Sequence, residues 1–344
     1  MVNLKFLKNI IVKFQYNLVN MKYLENFNEY AEYFNNIDFI MFTPDSIVMN
    51  EFANVVKKYN IKILNYKCIN INEYEAEKIY SNELCTGKID SWWIKKKIFS
   101  MGLTCVALIT LDIKKHNMLA SDIILALKGD SDSLISSHNS IRGQYRVANK
   151  TYGFMHSSDS PKQALFESNT FFSINEIKNS FHKLKIGENV NESFFNDFIL
   201  NFNYKYDLYN YYELLFDLKN KVLDIFIKKN HISEMQIDIY DKIKLLYSNA
   251  KKVCHEKNSF KEERIQIQKY IFKENELLTD FFKLSQTDYT EDLSYWLILT
   301  LSNQKKYNKV DFDKIKIVLK ILKIHMNEWE LLLLQSSMHF YKII

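Results

Sequence analysis

Every glycine and proline in this 344-residue chain lies before residue 188. The prolines are Pro44 and Pro161; the glycines are Gly87, Gly102, Gly129, Gly143, Gly153 and Gly187. The 157 residues after Gly187 contain neither type. A sheet-rich domain of that length needs turn residues that take positive φ. Helices manage without them, because Asn, Asp and Ser cap and join them. The distribution predicts an all-helical domain over residues 186–344. A mixed domain over 37–185 and an N-terminal helical extension over 1–36 precede it.

The hydrophobic pattern of the tail agrees. Leu208, Tyr211, Leu215, Leu218, Val222, Ile225 and Phe226 share one helical face, and Ile237, Tyr240, Ile243, Leu246 and Tyr247 share another. Further apolar series run to Leu334 and predict six or seven helices. Polar breaks fall at Asn230-His231, Asn258-Ser259, Ser285-Gln286 and Lys305 to Asn308. After Gly187 there are 23 Lys/Arg and 23 Asp/Glu. No basic stripe stands out, which argues against nucleic acid as a partner. No fixed period marks a solenoid.

The middle region mixes periods. Asp38 to Phe42 and Leu103 to Leu111 read as buried strands. Ile61 to Ile71 alternates, with Ile61, Ile63, Asn65, Lys67 and Ile69 on one side. Ser46 to Tyr59 and Leu119 to Leu127 read as helices, and Gly153 to Met155 as a short last strand. Composition and period by themselves reach α+β.

One stretch gathers chemistry: Tyr152-Gly153-Phe154-Met155-His156-Ser157-Ser158-Asp159-Ser160-Pro161. Pro161 suits the first turn of a helix and Ser160 its N-cap. His156 then stands between a strand and the positive end of a helix, a setting suited to phosphate. The segment resembles the HGSDS active-site motif of the nucleoside diphosphate kinase family. Glu167 matches that family's histidine-holding glutamate, Ser140-Ile141-Arg142-Gly143 its TIRG segment, and Gly129-Asp130-Ser131 its GET segment. Phe39-Ile40-Met41-Phe42-Thr43-Pro44-Asp45 is similar to its first strand and KPD ending. The resemblance covers residues 37–180. It implies a ferredoxin-like antiparallel sheet with helices on one face, and a phosphohistidine on His156 oriented by Glu167 and Ser158. It implies nucleotide contacts from Arg142, Ser131, Tyr80 and Thr43, and from Trp92 or Trp93 as the aromatic on which the base stacks. Magnesium with a nucleoside triphosphate, ATP or GTP, is the implied cofactor.

Three positions depart from the family. Thr43 replaces a lysine, Leu125 a phosphate-binding arginine, and Gly153 an asparagine. A charge-assisted hydrogen bond is worth roughly 1.5–3 kcal/mol, so two such losses slow a reaction by about two to four decades. Lys128, Arg146 and Lys150 are candidate replacement cations, whereas Lys95-Lys96-Lys97 reads as a solvated helix face, with phosphate or membrane contact as the lesser alternative. A phosphotransferase with a non-standard acceptor is therefore expected. Two alternatives stay open: a nucleotide-binding sensor or scaffold whose tail binds a partner, and a nucleotidyl-transfer enzyme.

The remaining features are plain. Cys68, Cys85, Cys105 and Cys254 lack metal spacing and read as free thiols of a reducing compartment. No protein-held metal is expected, and His255 and His325 read as structural. No apolar run reaches the ~18 residues of a membrane span, and Met1 to Asn20 reads as an amphipathic helix packed on its own protein. A cytoplasmic protein is expected. A long tail beside the small domain implies a monomer, or an oligomer smaller than the family's hexamer.

Overall fold

A computed structural model describes residues 23–85, 91–112, 118–132, 135–145, 149–201, 210–255, 260–285 and 288–341. The expected N-terminal amphipathic helix, Arg146, and the Asn258-Ser259 break lie outside these residues, as does Gln286. The chain divides into two compact units. One draws on Met1–Asp130, Asn139–Tyr145 and Thr151–Asp207; the other on Ser131–His138, Arg146–Lys150 and Leu208–Ile344.

Among the described residues the first unit holds four antiparallel strands: β1 (Ile37–Phe42), β2 (Lys62–Ile69), β3 (Thr104–Thr110) and β4 (Met155–Ser157), in the order β2-β3-β1-β4. Its helices are α1 (Pro44–Met49), α2 (Phe52–Lys58), α3 (Glu73–Ile79), α4 (Ser81–Cys85), α5 (Trp92–Ser100), α6 (Ala120–Lys128), α7 (Ile141–Gln144), α8 (Pro161–Ser168), α9 (Ile174–Ile186) and α10 (Asn191–Asn201). The α+β, ferredoxin-like expectation is borne out.

Both faces of the sheet are covered, not one. Every residue of β1 and β3 is buried, which a half-exposed sheet does not allow. Phe39 and Met41 face a core with Val106, Leu108, Leu165 and Phe181. Phe42 turns to the other side, where it meets Phe52 and Phe154. Two local readings also change. The expected helix over Ser46 to Tyr59 is two helices, because Asn50 takes φ 54° between them. In β2 the pairing shifts between Ile63 and Asn65, and a one-residue irregularity moves the following side chains to the other face.

The first unit extends past the expected boundary at 185. Gly187, at φ 77°, ends α9, but the chain then returns to the sheet. Val190 N–H bonds Ile63 O at 2.8 Å, and Asn191 donates to Ile61 O and accepts from Ile63 N–H. Phe194 and Phe198 of α10 pack on Phe52 and Tyr66. A turn glycine therefore closes a helix here without closing the domain.

The second unit is helical: α11 (Tyr211–Lys229), α12 (Glu234–Cys254), α13 (Phe260–Lys283), α14 (Leu293–Ser302), α15 (Phe312–Ile321) and α16 (Glu328–His339). Asn210, Ser233, Asp292, Asp311 and Asn327 cap five of them through side-chain oxygens, the means expected of a segment without glycine. A fully buried Lys219–Glu274 pair at 2.8 Å sits inside it, and Tyr247 and Ser302 donate to the same carboxylate. The unit also takes up Asn149, which donates to Ser336 and Ser337. Among the described residues no helix is long and apolar enough to cross a membrane.

Candidate active site around His156

β4 delivers His156 and α8 delivers Glu167. Ser160 caps α8 by accepting from Gln163 N–H at 3.2 Å, and Pro161 occupies its first turn. Glu167 lies two turns along and is 3% exposed. Its Oε2 lies 2.8 Å from His156 Nε2 and 2.5 Å from Ser158 Oγ, and its Oε1 accepts from Gln163 Nε2 at 3.0 Å. Burial pushes this carboxyl's pKa up, but His156 and the hydrogen bonds from Ser158 and Gln163 outweigh it. The net result lies below the ordinary value. An ionised Glu167 accepts the Nε2 proton, which leaves Nδ1 as the nitrogen with a lone pair. The imidazole is 12% exposed.

The strand before His156 is strained and braced. Met155 N–H bonds Gly153 O at 2.6 Å across Phe154, whose φ is 63°. That is a γ-turn of the rarer, strained hand. Phe154 is held from three sides: its N–H donates to buried Asp45, its O accepts from Thr43 N–H, and its ring stacks on Tyr145 at 4.5 Å.

Arg142 braces the same strand. Its Nε donates to Gly153 O, one terminal nitrogen to Gly129 O and the other to Met155 O, each at 3.0 Å. Three of five guanidinium protons are engaged, which leaves two for a ligand. The side chain runs so close to residue 153 that a Cβ there would meet it at 3.3 Å. This gives a physical reason for glycine at the position where the similar family has asparagine.

Tyr80 follows α3 and meets His156 in a T-shaped contact, centroids 5.3 Å apart. Trp92 packs on Tyr80 at 5.6 Å with a buried indole N–H, while Trp93 is the more exposed of the two. Lys95 does not lie on the expected solvated face. Its ammonium lies over the Tyr80 ring, 3.9 Å from the centroid. Burial first, then the neighbouring Arg142 charge, lowers its pKa to about 8. The three lysines therefore do not form one solvated face: Lys95 turns inward, Lys96 pairs with Glu73 at 2.6 Å, and Lys97 is exposed. The signal was legible as spacing, since Trp92, Lys95 and Phe99 fall on one helical stripe and all three reach Tyr80.

Lys128 is buried and donates to Ser157 Oγ at 2.7 Å. Ser157 pairs with Ile40 whereas His156 pairs with Met41, so Ser157 points to the opposite face of the sheet, while the Lys128 charge still acts with those of Arg142 and Glu167. Leu125 is 44% exposed. Thr43 is buried at the end of β1. Ser131 and Lys150 are exposed and belong to the second compact unit. Among the described residues no group of three or more His, Cys, Asp or Glu side chains is arranged to hold a metal.

A family model described as nucleoside diphosphate kinase matches residues 36–177. Among solved structures, the chain is similar to nucleoside diphosphate kinase from Encephalitozoon cuniculi, with 19% identity over 42% of this chain and 97% of that one and a TM-score of 0.35. The enzyme from Aquifex aeolicus gives 20% identity over 41% and 97%, with a TM-score of 0.34. A transition-state mimic of the Borrelia burgdorferi enzyme with vanadate and ADP gives 18% identity over 41% and 88%, with a TM-score of 0.35. No curated protein matches the chain.

Proposed function

Because residues 36–177 are a nucleoside diphosphate kinase-like domain, we propose that the protein is a phosphotransferase working through a phosphohistidine at His156. The observation that carries this reading is the Glu167 carboxylate held on His156 Nε2 at 2.8 Å. It directs the proton to Nε2 and the lone pair to Nδ1. Nδ1 attacks the terminal phosphorus of a nucleoside triphosphate; the N–P bond forms and the bond to the bridging oxygen breaks, releasing the diphosphate. Glu167 steadies the positive charge that grows on the ring. An acceptor oxygen then takes the phosphoryl group, and the imidazole is restored.

Lys95 supplies the cation that Thr43 and Leu125 do not. It lies on Tyr80, and Tyr80 lies against His156. The two spare protons of Arg142 and the indole N–H of Trp92, whose ring packs on Tyr80, add donors. Magnesium enters this scheme on the nucleotide's own phosphates and water, as that ion commonly does. The changed cation pattern favours an acceptor other than an ordinary nucleoside diphosphate.

A second reading, a nucleotide sensor without turnover, rests on its own observation. Arg142 is committed to three backbone carbonyls, and the helical unit carries a cleft of about 850 Å³ lined by Phe272, Leu299, Gln304 and Tyr341. Calorimetry with nucleoside di- and triphosphates and magnesium, followed by a label-transfer assay, separates the two. Binding with label on His156 supports the transferase; binding without label supports the sensor.

A further inference from the structure

Cys68 and Cys105 face each other across the β2–β3 ladder. Both are free thiols, Cys68 half-buried and Cys105 buried. From this register we infer that the two residues are a peroxide-oxidisable pair, forming a cross-strand disulfide in the folded protein.

Geometry supports the pairing. Directly opposed residues on antiparallel strands have Cα atoms about 4.5–5.5 Å apart, inside the ~4.4–6.8 Å span of disulfides. Their Cβ atoms, about 4.5–5.5 Å apart in such pairs, need to close only slightly. Burial raises Cys105 well above the ordinary thiol value, and the neighbouring Cys68 adds to that shift. Cys68 is therefore the first to react. It gives up two electrons to hydrogen peroxide, forming a sulfenic acid and one water. The Cys105 sulfur attacks that sulfur, the S–S bond forms, and the sulfenic oxygen leaves as a second water with the thiol proton. Two thiols and one peroxide thus yield one disulfide and two waters.

The position gives the bond a consequence. Met41, opposite His156, pairs with Val106, while Phe42 pairs with Cys105, so the cysteines lie on the face away from His156. The disulfide would not block the histidine. It would close residues 69–104 into a covalent loop. That loop contains Tyr80, Trp92 and Lys95, one wall of the candidate site. Closing a loop of that length restricts the unfolded chain and steadies the segment it encloses.

The test uses the full-length protein. Native, reduced protein is treated with hydrogen peroxide, alkylated and digested without reductant. The expected product is a cross-linked peptide joining Cys68 to Cys105, lighter by two hydrogens than the two thiol peptides and released by dithiothreitol. The urea midpoint of the oxidised protein rises. Cys68→Ser abolishes both the cross-link and the shift in midpoint, and leaves Cys105 open to alkylation only after unfolding. Should that variant fail to fold, the wild-type peptide map decides alone. A map with Cys68 converted to sulfinic acid beside a free Cys105 overturns the inference. So does one with Cys68 joined to another cysteine, or with both thiols intact.

Discussion

His156 Nε2 and Glu167 Oε2 lie 2.8 Å apart, and the carboxylate that makes this contact is 3% exposed. A buried acceptor on one ring nitrogen fixes the tautomer of the other. It also ties the stability of the first unit to the ionisation of Glu167. The folded-state pKa of that carboxyl lies below its ordinary value: burial opposes the shift, and His156, Ser158 and Gln163 overcome it. A depressed carboxyl stabilises the fold above its unfolded pKa and loses that contribution as pH falls through the folded value. Glu167→Gln should therefore flatten the acid side of the urea-midpoint profile and cost about 1.5–3 kcal/mol at pH 7. An unchanged acid limb contradicts this linkage.

Lys95 makes a second prediction. Its pKa is lowered to about 8, chiefly by burial. The ammonium is thus present at pH 7 and lost as pH rises through about 8. If it holds phosphate, triphosphate affinity falls above that pH, and Lys95→Met removes the pH step. The same variant should weaken binding by roughly 10- to 150-fold, the equivalent of about 1.5–3 kcal/mol. Isothermal titration at pH 7 and pH 9 is the measurement. Equal affinity in wild type and variant would assign Lys95 to packing on Tyr80 alone.

Gly153 tests the bracing of the histidine strand. A methyl group there presses on Arg142 at 3.3 Å, and that guanidinium is fixed by three carbonyls. Gly153→Ala should destabilise by about 1–3 kcal/mol, the usual range for overpacking. Gly153→Asn, the residue of the similar family, should cost at least as much. A neutral or stabilising result means that Arg142 is free to move.

Much of this site was legible as residue order. His156, Ser158, Glu167 and Arg142 stand in motifs whose chemistry can be read one residue at a time, and the fold brings them to one strand and its braces. Lys95 was hidden because three consecutive lysines look alike in sequence, while a helix sends them in three directions. Lys128 is a separate case, because it bonds the residue beside His156 and not the histidine itself. One step along β4, from His156 to Ser157, changes the face of the sheet, and spacing from Leu125 carries no such information. The helical tail was legible from its missing glycines, yet the end of the first unit was not. The bonds of Asn191 to Ile61 and Ile63 join residues far apart in sequence, and no local signal announces them.

The helical unit is predicted to depend on a single buried carboxylate. Glu274 receives Lys219, Tyr247 and Ser302, and the ion pair has no exposed surface. Glu274→Ala should cost about 3–5 kcal/mol, because it strands a buried ammonium. Replacing both partners with apolar residues, as in Lys219→Met with Glu274→Leu, should recover part of that loss. Circular dichroism during urea titration of the full chain checks both; a harmless Glu274→Ala contradicts the reading.

The most direct test is incubation of the full-length protein with γ-labelled nucleoside triphosphate and magnesium, followed by peptide mapping. Acid-labile label on His156 is predicted. His156→Ala should lose it while keeping nucleotide affinity nearly unchanged, since the imidazole acts on the reacting phosphoryl group. Bound nucleotide with no label on wild-type protein, or label that persists in His156→Ala, would contradict the account.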